Sequence, residues 1–191
     1  MSVWEITNKW TNDVAGLTHA DDIEFDATRS TEFWKQFEGH GSPLHWVSRP
    51  RLTTIEYEGR KKRRPRADVS PFTSPGLIVN AKVHSVLGEF LGQFGQLLEV
   101  DVDGQVEYYY NVTNVLECLD REHSEIEAYY VEKPVFHEHL IPTAPTVFVD
   151  PELTARIFVN EAAKADLEKA IAENGIIGIS FKRWDSDKIQ A

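Results

Sequence analysis

The sequence predicts an α+β fold: a mainly antiparallel sheet with flanking helices and an irregular N-terminal region. Three observations predict it. Two segments, 79–94 and 160–175, repeat apolar residues at helical spacing. Between them lie short runs rich in β-branched and aromatic residues, two of them joined by Asp103-Gly104. Residues 1–76 show little sustained periodicity and are rich in Trp, Thr, Asp, Gly and Pro.

In that first part, Thr31–Phe37 suits a short helical turn with Phe33, Trp34 and Phe37 on one side. Arg51–Tyr57 reads as a strand. Gly59–Pro65 reads as a solvated basic loop that Pro65 keeps from being helical. Residues 77–191 then form an α+β unit, either as a second domain or as part of one continuous body.

The elements of the second part have clearer limits. Val79, Val83, Val86, Leu87, Phe90, Leu91 and Phe94 share one helical stripe, with Asn80 as N-cap and Gly95 as the stop. Leu98, Val100 and Val102 alternate with Glu99 and Asp101, which is the period of a half-buried strand. Asp103-Gly104 closes a hairpin onto Val106–Val112, since both positions of its turn need positive φ. Glu125–Val131, Thr146–Val149 and Arg156–Val159 read as further strands. Asn160 caps a helix whose core side is Ala163, Leu167, Ala170 and Ile171, and Asn174-Gly175 ends it. Ile176–Phe181, nearly all apolar, reads as a central strand covered on both faces.

With 191 residues, 41% of them hydrophobic, the chain can bury a real core, and its composition is not that of a disordered protein. The polar start Met1-Ser-Val-Trp-Glu-Ile-Thr has no apolar h-region, so it does not read as a signal peptide. No run approaches the roughly 18 apolar residues of a membrane span. The single cysteine, Cys118, cannot form an internal disulfide and fits a reducing compartment. These features place the protein in the cytoplasm, where the Asn111-Val-Thr113 sequon carries no meaning.

Acids outnumber bases 31 to 20, a formal net charge of −11. The charge is unevenly spread. Residues 49–66 hold eight bases against two acids, a formal +6, so the rest of the chain, with 12 bases and 29 acids, stands at −17. Such a body disfavours general nucleic-acid binding, which needs clustered cations. The basic run Arg60, Lys61, Lys62, Arg63, Arg64 and Arg66 is a candidate anion site. Its alternatives are a solvated loop and a segment docked onto the molecule's own acidic face.

Familiar catalytic signatures are missing: there is no Gly-rich phosphate loop, GxSxG, HExxH or CxxC. His137 and His139 would face one way on a strand, as a metal requires, but no third ligand follows at a recognisable spacing. Cys118 sits between leucines beside acids, a setting that raises a thiol pKa and suits a buried core residue. The residues point to a binding protein without cofactor rather than an enzyme. Asp101, Asp103 and Glu107 on the first hairpin, and Glu122, Glu125 and Glu127 beyond it, are the candidate contacts for a basic partner.

A family resemblance spans residues 77–181. It is carried by the apolar helix ending near Phe94, the hairpin with Tyr108-Tyr-Tyr110-Asn111-Val, and Val115-Leu-Glu-Cys-Leu-Asp120-Arg-Glu-His-Ser124. Arg156-Ile-Phe158-Val, a helix, and Gly175-Ile-Ile-Gly178-Ile-Ser-Phe181 complete it. The segment resembles the immunity-protein family numbered eleven in polymorphic-toxin classifications, formerly a domain of unknown function. The resemblance implies a cytoplasmic protein that binds and neutralises a cognate bacterial toxin, with no catalytic residues to carry over. Tyr110, Asn111, Asp120, Ser124, Gly175, Gly178 and Phe181 would then be architectural, Asp120 and Ser124 capping a local turn. Nucleic-acid or anionic-surface binding through residues 60–66 and a metal-dependent enzyme using His137 and His139 are the competing readings. Oligomeric state stays open.

Overall fold

Helix formation follows the caps. The Asn80 side chain accepts a hydrogen bond from Val83 N, and that of Asn160 from Ala163 N, so each helix starts where its orphan amides find an acceptor. In this computed structural model, which describes residues 2–7, 14–20, 33–55, 64–72, 76–128 and 130–184, the helices are α1 (Ala81–Gly92) and α2 (Glu161–Asn174). Gly175 ends α2 at φ 57°, a left-handed conformation that an L side chain resists. Gly95 does not stop α1. That helix closes at Gln93 in right-handed geometry, and Gly95 already opens a strand.

The described residues form twelve strands, in chain order β1 (Val3–Thr7), β2 (Leu17–His19), β3 (Arg51–Thr54), β4 (Val69–Pro71), β5 (Leu77–Val79), β6 (Gly95–Val102), β7 (Gln105–Val112), β8 (Glu125–Glu127), β9 (Tyr130–Lys133), β10 (Val147–Phe148), β11 (Ile157–Asn160) and β12 (Ser180–Trp184). They form a four-stranded sheet, β10-β11-β1-β12, a six-stranded sheet, β2-β3-β6-β7-β5-β4, and the separate pair β8-β9. All of these pairings are antiparallel except β3 with β6, so the α+β class with a mainly antiparallel sheet holds.

Several expected boundaries move. Arg51–Tyr57 is a strand only to Thr54, and residues 56–57 lie outside the described ones. Phe33–Lys35 make the expected helical turn, while residues 31–32 lie outside. The run expected as one strand over Glu125–Val131 folds back on itself at Ala128, φ 54°, into β8 and β9. Ile176–Phe181 is not a central strand: the strand starts at Ser180, lies at the sheet's edge, and leaves Ile177 53% exposed. A short apolar run does not distinguish a covered strand from a packed loop, and here Ile177 N and O bond the Asp68 carboxylate and Val69 N. His137-Glu138-His139 is no strand either, because Glu138–Leu140 form a single 3-10 turn.

The main core joins both large sheets and both helices. Ile6, Val147, Ile157 and Val159 from one sheet meet Val79, Tyr110 and Val112 from the other around Val83, Leu87, Leu91, Ala163 and Leu167. The far face of the four-stranded sheet, which carries Phe148 and Phe158, is covered by Cys118, Val131, Phe136, Ile141 and Leu153. The far face of the six-stranded sheet is covered by the aromatic segment Phe33–Trp46, where Phe37 lies 5.1 Å from Tyr109 between ring centroids. Each large sheet is therefore packed on both sides, and the β8-β9 pair joins neither sheet by hydrogen bonds, though its Val131 packs into the cover of the four-stranded one.

Candidate functional site

Five of the six candidate acids fall on two hairpins with different surroundings, and Glu122 lies in the turn that leads into the second. In β6–β7 the turn forms as its sequence requires, with Asp103 at φ 52° and Gly104 at φ 81°. The parallel neighbour β3 sets Arg51 beside Asp101 and Leu52 beside Val102, which brings the basic segment alongside the acids. Arg49 pairs with Glu99. Asp103 accepts the Thr53 hydroxyl at 2.6 Å, the Thr54 hydroxyl at 2.5 Å and Thr54 N at 3.2 Å. Asp101 takes the Gly104 amide at 2.7 Å. An open cleft of about 310 Å³ lies between Arg51, Thr53, Asp101 and Asp103.

Glu107 departs furthest from the expected exposed acid. It is 9% exposed and binds Arg66 Nη2 at 2.6 Å. Burial pushes its carboxyl above the ordinary glutamate range, outweighing the attraction of Arg66. Asp103 moves the other way: burial would raise it, but the Thr53 and Thr54 bonds and the Arg66 charge hold it low. The basic segment 49–66 is thus anchored at both ends on the acidic hairpin, through Arg49 and Arg66. Residues 60–63 lie outside the described ones, and Arg64 is partly buried.

The β8–β9 hairpin differs at each point. Glu122, Glu125, Glu127 and Glu132 are exposed, together with Ile126 at 38% and Tyr130 at 58%. Only Glu125 meets a cation among the described residues, Lys133 at 2.7 Å, in a pair open to solvent on both sides. Val131 alone of the two strands is buried.

Its base, by contrast, is closely fastened. Asp120 N donates to Val135 O, and Asp120 O accepts both Ser124 N and Ser124 Oγ. The same hydroxyl accepts Val135 N at 2.9 Å, so Asp120 and Ser124 tie the two legs together. Burial would raise the Asp120 carboxyl. The hydrogen bonds and charge of His123, with the charge of His137, outweigh it and hold the group low. Behind it, Asp150, 1% exposed, accepts the amides of Cys118, Leu119 and Glu152. Arg156 holds the second leg: its Nη2 donates to Val131 O at 2.9 Å and its guanidinium lies 5.4 Å from the Tyr130 ring.

The other candidates take local places. Tyr110 is buried and donates to Leu91 O at the end of α1, and burial drives its hydroxyl pKa up. Asn111 spans Ser42 O and the Gln96 side chain. Gly178 lies against the Val69 backbone, and Phe181 is half-buried in β12. Cys118 is fully buried, its thiol pushed up to about 12 by burial and by Asp150. His137 Nδ1 lies 3.5 Å from Asp120, which His123 also contacts, and the His137 and His139 rings are 5.7 Å apart. Among the described residues no group of three or more His, Cys, Asp or Glu is placed to hold a metal ion.

Sequence reasoning missed Arg49, Arg66 and Arg156 as partners of specific groups. The excess of charge in 49–66 pointed to the first two as a segment, but strand order is needed to say which acid each meets. Among the described residues no helix is long and apolar enough to cross a membrane. An α+β protein with one sheltered and one projecting acidic hairpin is the class these features define. No family model matches the chain, and no curated protein matches it.

Proposed function

We propose that this is a cytoplasmic immunity protein that binds and neutralises a cognate bacterial toxin without catalysis or cofactor, through the β8–β9 hairpin. One observation carries the reading: the acids of β8–β9 project into solvent on a fastened base, while those of β6–β7 are engaged by the chain's own groups. A projecting set of carboxylates around exposed Ile126 and Tyr130 suits a partner with a cationic surface. An aromatic anchor ringed by charge is a common composition for the energetic centre of an interface. The order of motifs over 77–181 supports the same reading.

The test is co-expression with the reading frame beside the gene. A neighbour that kills cells alone, is neutralised by this protein and co-purifies with it supports the proposal. A harmless neighbour that forms no complex sinks it. Affinity for that partner should fall as salt rises, and an affinity flat from low to high salt removes the electrostatic part.

A further inference from the structure

The two strands of the projecting hairpin differ in what lies on their outer sides. On the β9 side, Arg156 takes the Val131 carbonyl and covers the Tyr130 ring. On the β8 leg, Asp150 caps the amides of Cys118 and Leu119 near the base. Further out, β8 pairs with β9 on one side, and no strand among the described residues pairs with the other. An unpaired strand is a template for another chain, which proteins blunt by shortness and by charge. Here Glu125 and Glu127 supply the charge, and all three β8 residues are exposed.

We infer that the open side of β8 receives an extended, cation-bearing segment of the partner as an added strand, which rests on the binding reading above and gives it a mode. Main-chain bonds supply attachment in such additions, and alternate side chains supply selectivity. Lys or Arg at alternate positions of the incoming segment meets Glu125 and Glu127, and an apolar residue between them covers Ile126. A second copy of this chain is disfavoured by the same acids, since two β8 edges would oppose carboxylates to carboxylates. The Asp120–Ser124 tie and the Arg156 clamp hold the edge in place beforehand, which lowers the ordering cost of binding.

The experiment uses the full-length ¹⁵N-labelled protein and a synthetic octapeptide of alternating Lys and Val. The expected result is perturbation of the Glu125, Ile126 and Glu127 amides, with slowed hydrogen exchange at whichever of them point away from β9. The same peptide N-methylated at every peptide bond keeps the charge but loses the donors, and should bind at least about tenfold more weakly. An alternating Glu and Val peptide should not bind. Equal binding of the methylated peptide, perturbation centred on another strand, or no binding by any peptide overturns the added-strand mode. A toxin that co-purifies while leaving the β8 amides unperturbed overturns this mode alone and leaves the immunity reading standing.

Discussion

The hairpins β6–β7 and β8–β9 carry similar acidic patterns, Glu99-x-Asp101-x-Asp103 on one and Glu125-x-Glu127 on the other. The first sits inside a six-stranded sheet, with β3 on one side and β5 on the other, and cations or hydroxyls of residues 49–66 engage its acids. The second is a two-stranded extension whose acids mostly meet water. The difference teaches that an acidic stripe has no fixed meaning. Its role follows from whether the chain itself brings a donor to it.

The comparison breaks most readily at matched tyrosines. Tyr109 on β7 is 1% exposed and donates to Phe37 O, whereas Tyr130 on β9 is 58% exposed. Tyr109→Ala should cost about 3–5 kcal/mol in urea unfolding, as for other large aromatic truncations in a core. A loss below about 1 kcal/mol would show that the Phe33–Trp46 cover contributes little.

Next in size is Arg66→Ala. It leaves the Glu107 carboxylate, its side chain 12% exposed, without its cation, and should cost about 2–3 kcal/mol at neutral pH. On the projecting hairpin, Glu127→Gln should leave stability within about 0.5 kcal/mol while weakening partner binding. Equal stability losses for the two would erase the distinction between the hairpins.

Acid titration sharpens the contrast within the sheltered hairpin. Asp103, held low, adds stability that is present above the unfolded aspartate pKa and is lost as pH falls through its folded value. Glu107, pushed up, binds its proton more readily folded than unfolded, so its contribution grows as pH falls through its folded value. Unfolding free energies measured down the acid range should therefore converge for wild type and Asp103→Asn but shift in favour of wild type against Glu107→Gln. The same sign for both variants would refute the assignment of opposite shifts. Smallest of all is Tyr130→Ala, expected within about 0.5 kcal/mol in stability and visible only in partner affinity.

Much of the fold was legible because its signals are local. Asn80, Asn160 and Gly175 cap helices through neighbours three or four residues away, and Asp103-Gly104 makes its turn from its own φ preferences. Ile176–Phe181 was misread because apolarity reports burial, not pairing, and a packed loop buries Ile176 as well as a strand would. The candidate site was half legible. Glu122, Glu125 and Glu127 project as their sequence suggests, but Glu107 is buried by Arg66, 41 residues earlier, and nothing near Glu107 in sequence announces it. The fold at Ala128 was equally hidden, since alanine is an uncommon residue at positive φ.

The place of β1 in its sheet constrains the order in which the molecule can assemble. An interior strand of the four-stranded sheet, it has Phe158 opposite Glu5 on one side and Lys182 on the other. A ribosome releases residues 3–7 long before either neighbour exists, so this strand must wait, unpaired, while β6–β7 and α1 form from contacts close at hand. Closing so long a loop is slow relative to local hairpins. In pulse-labelling during refolding, the amides of β6 and β7 should gain protection first and those of β1 last, together with β12.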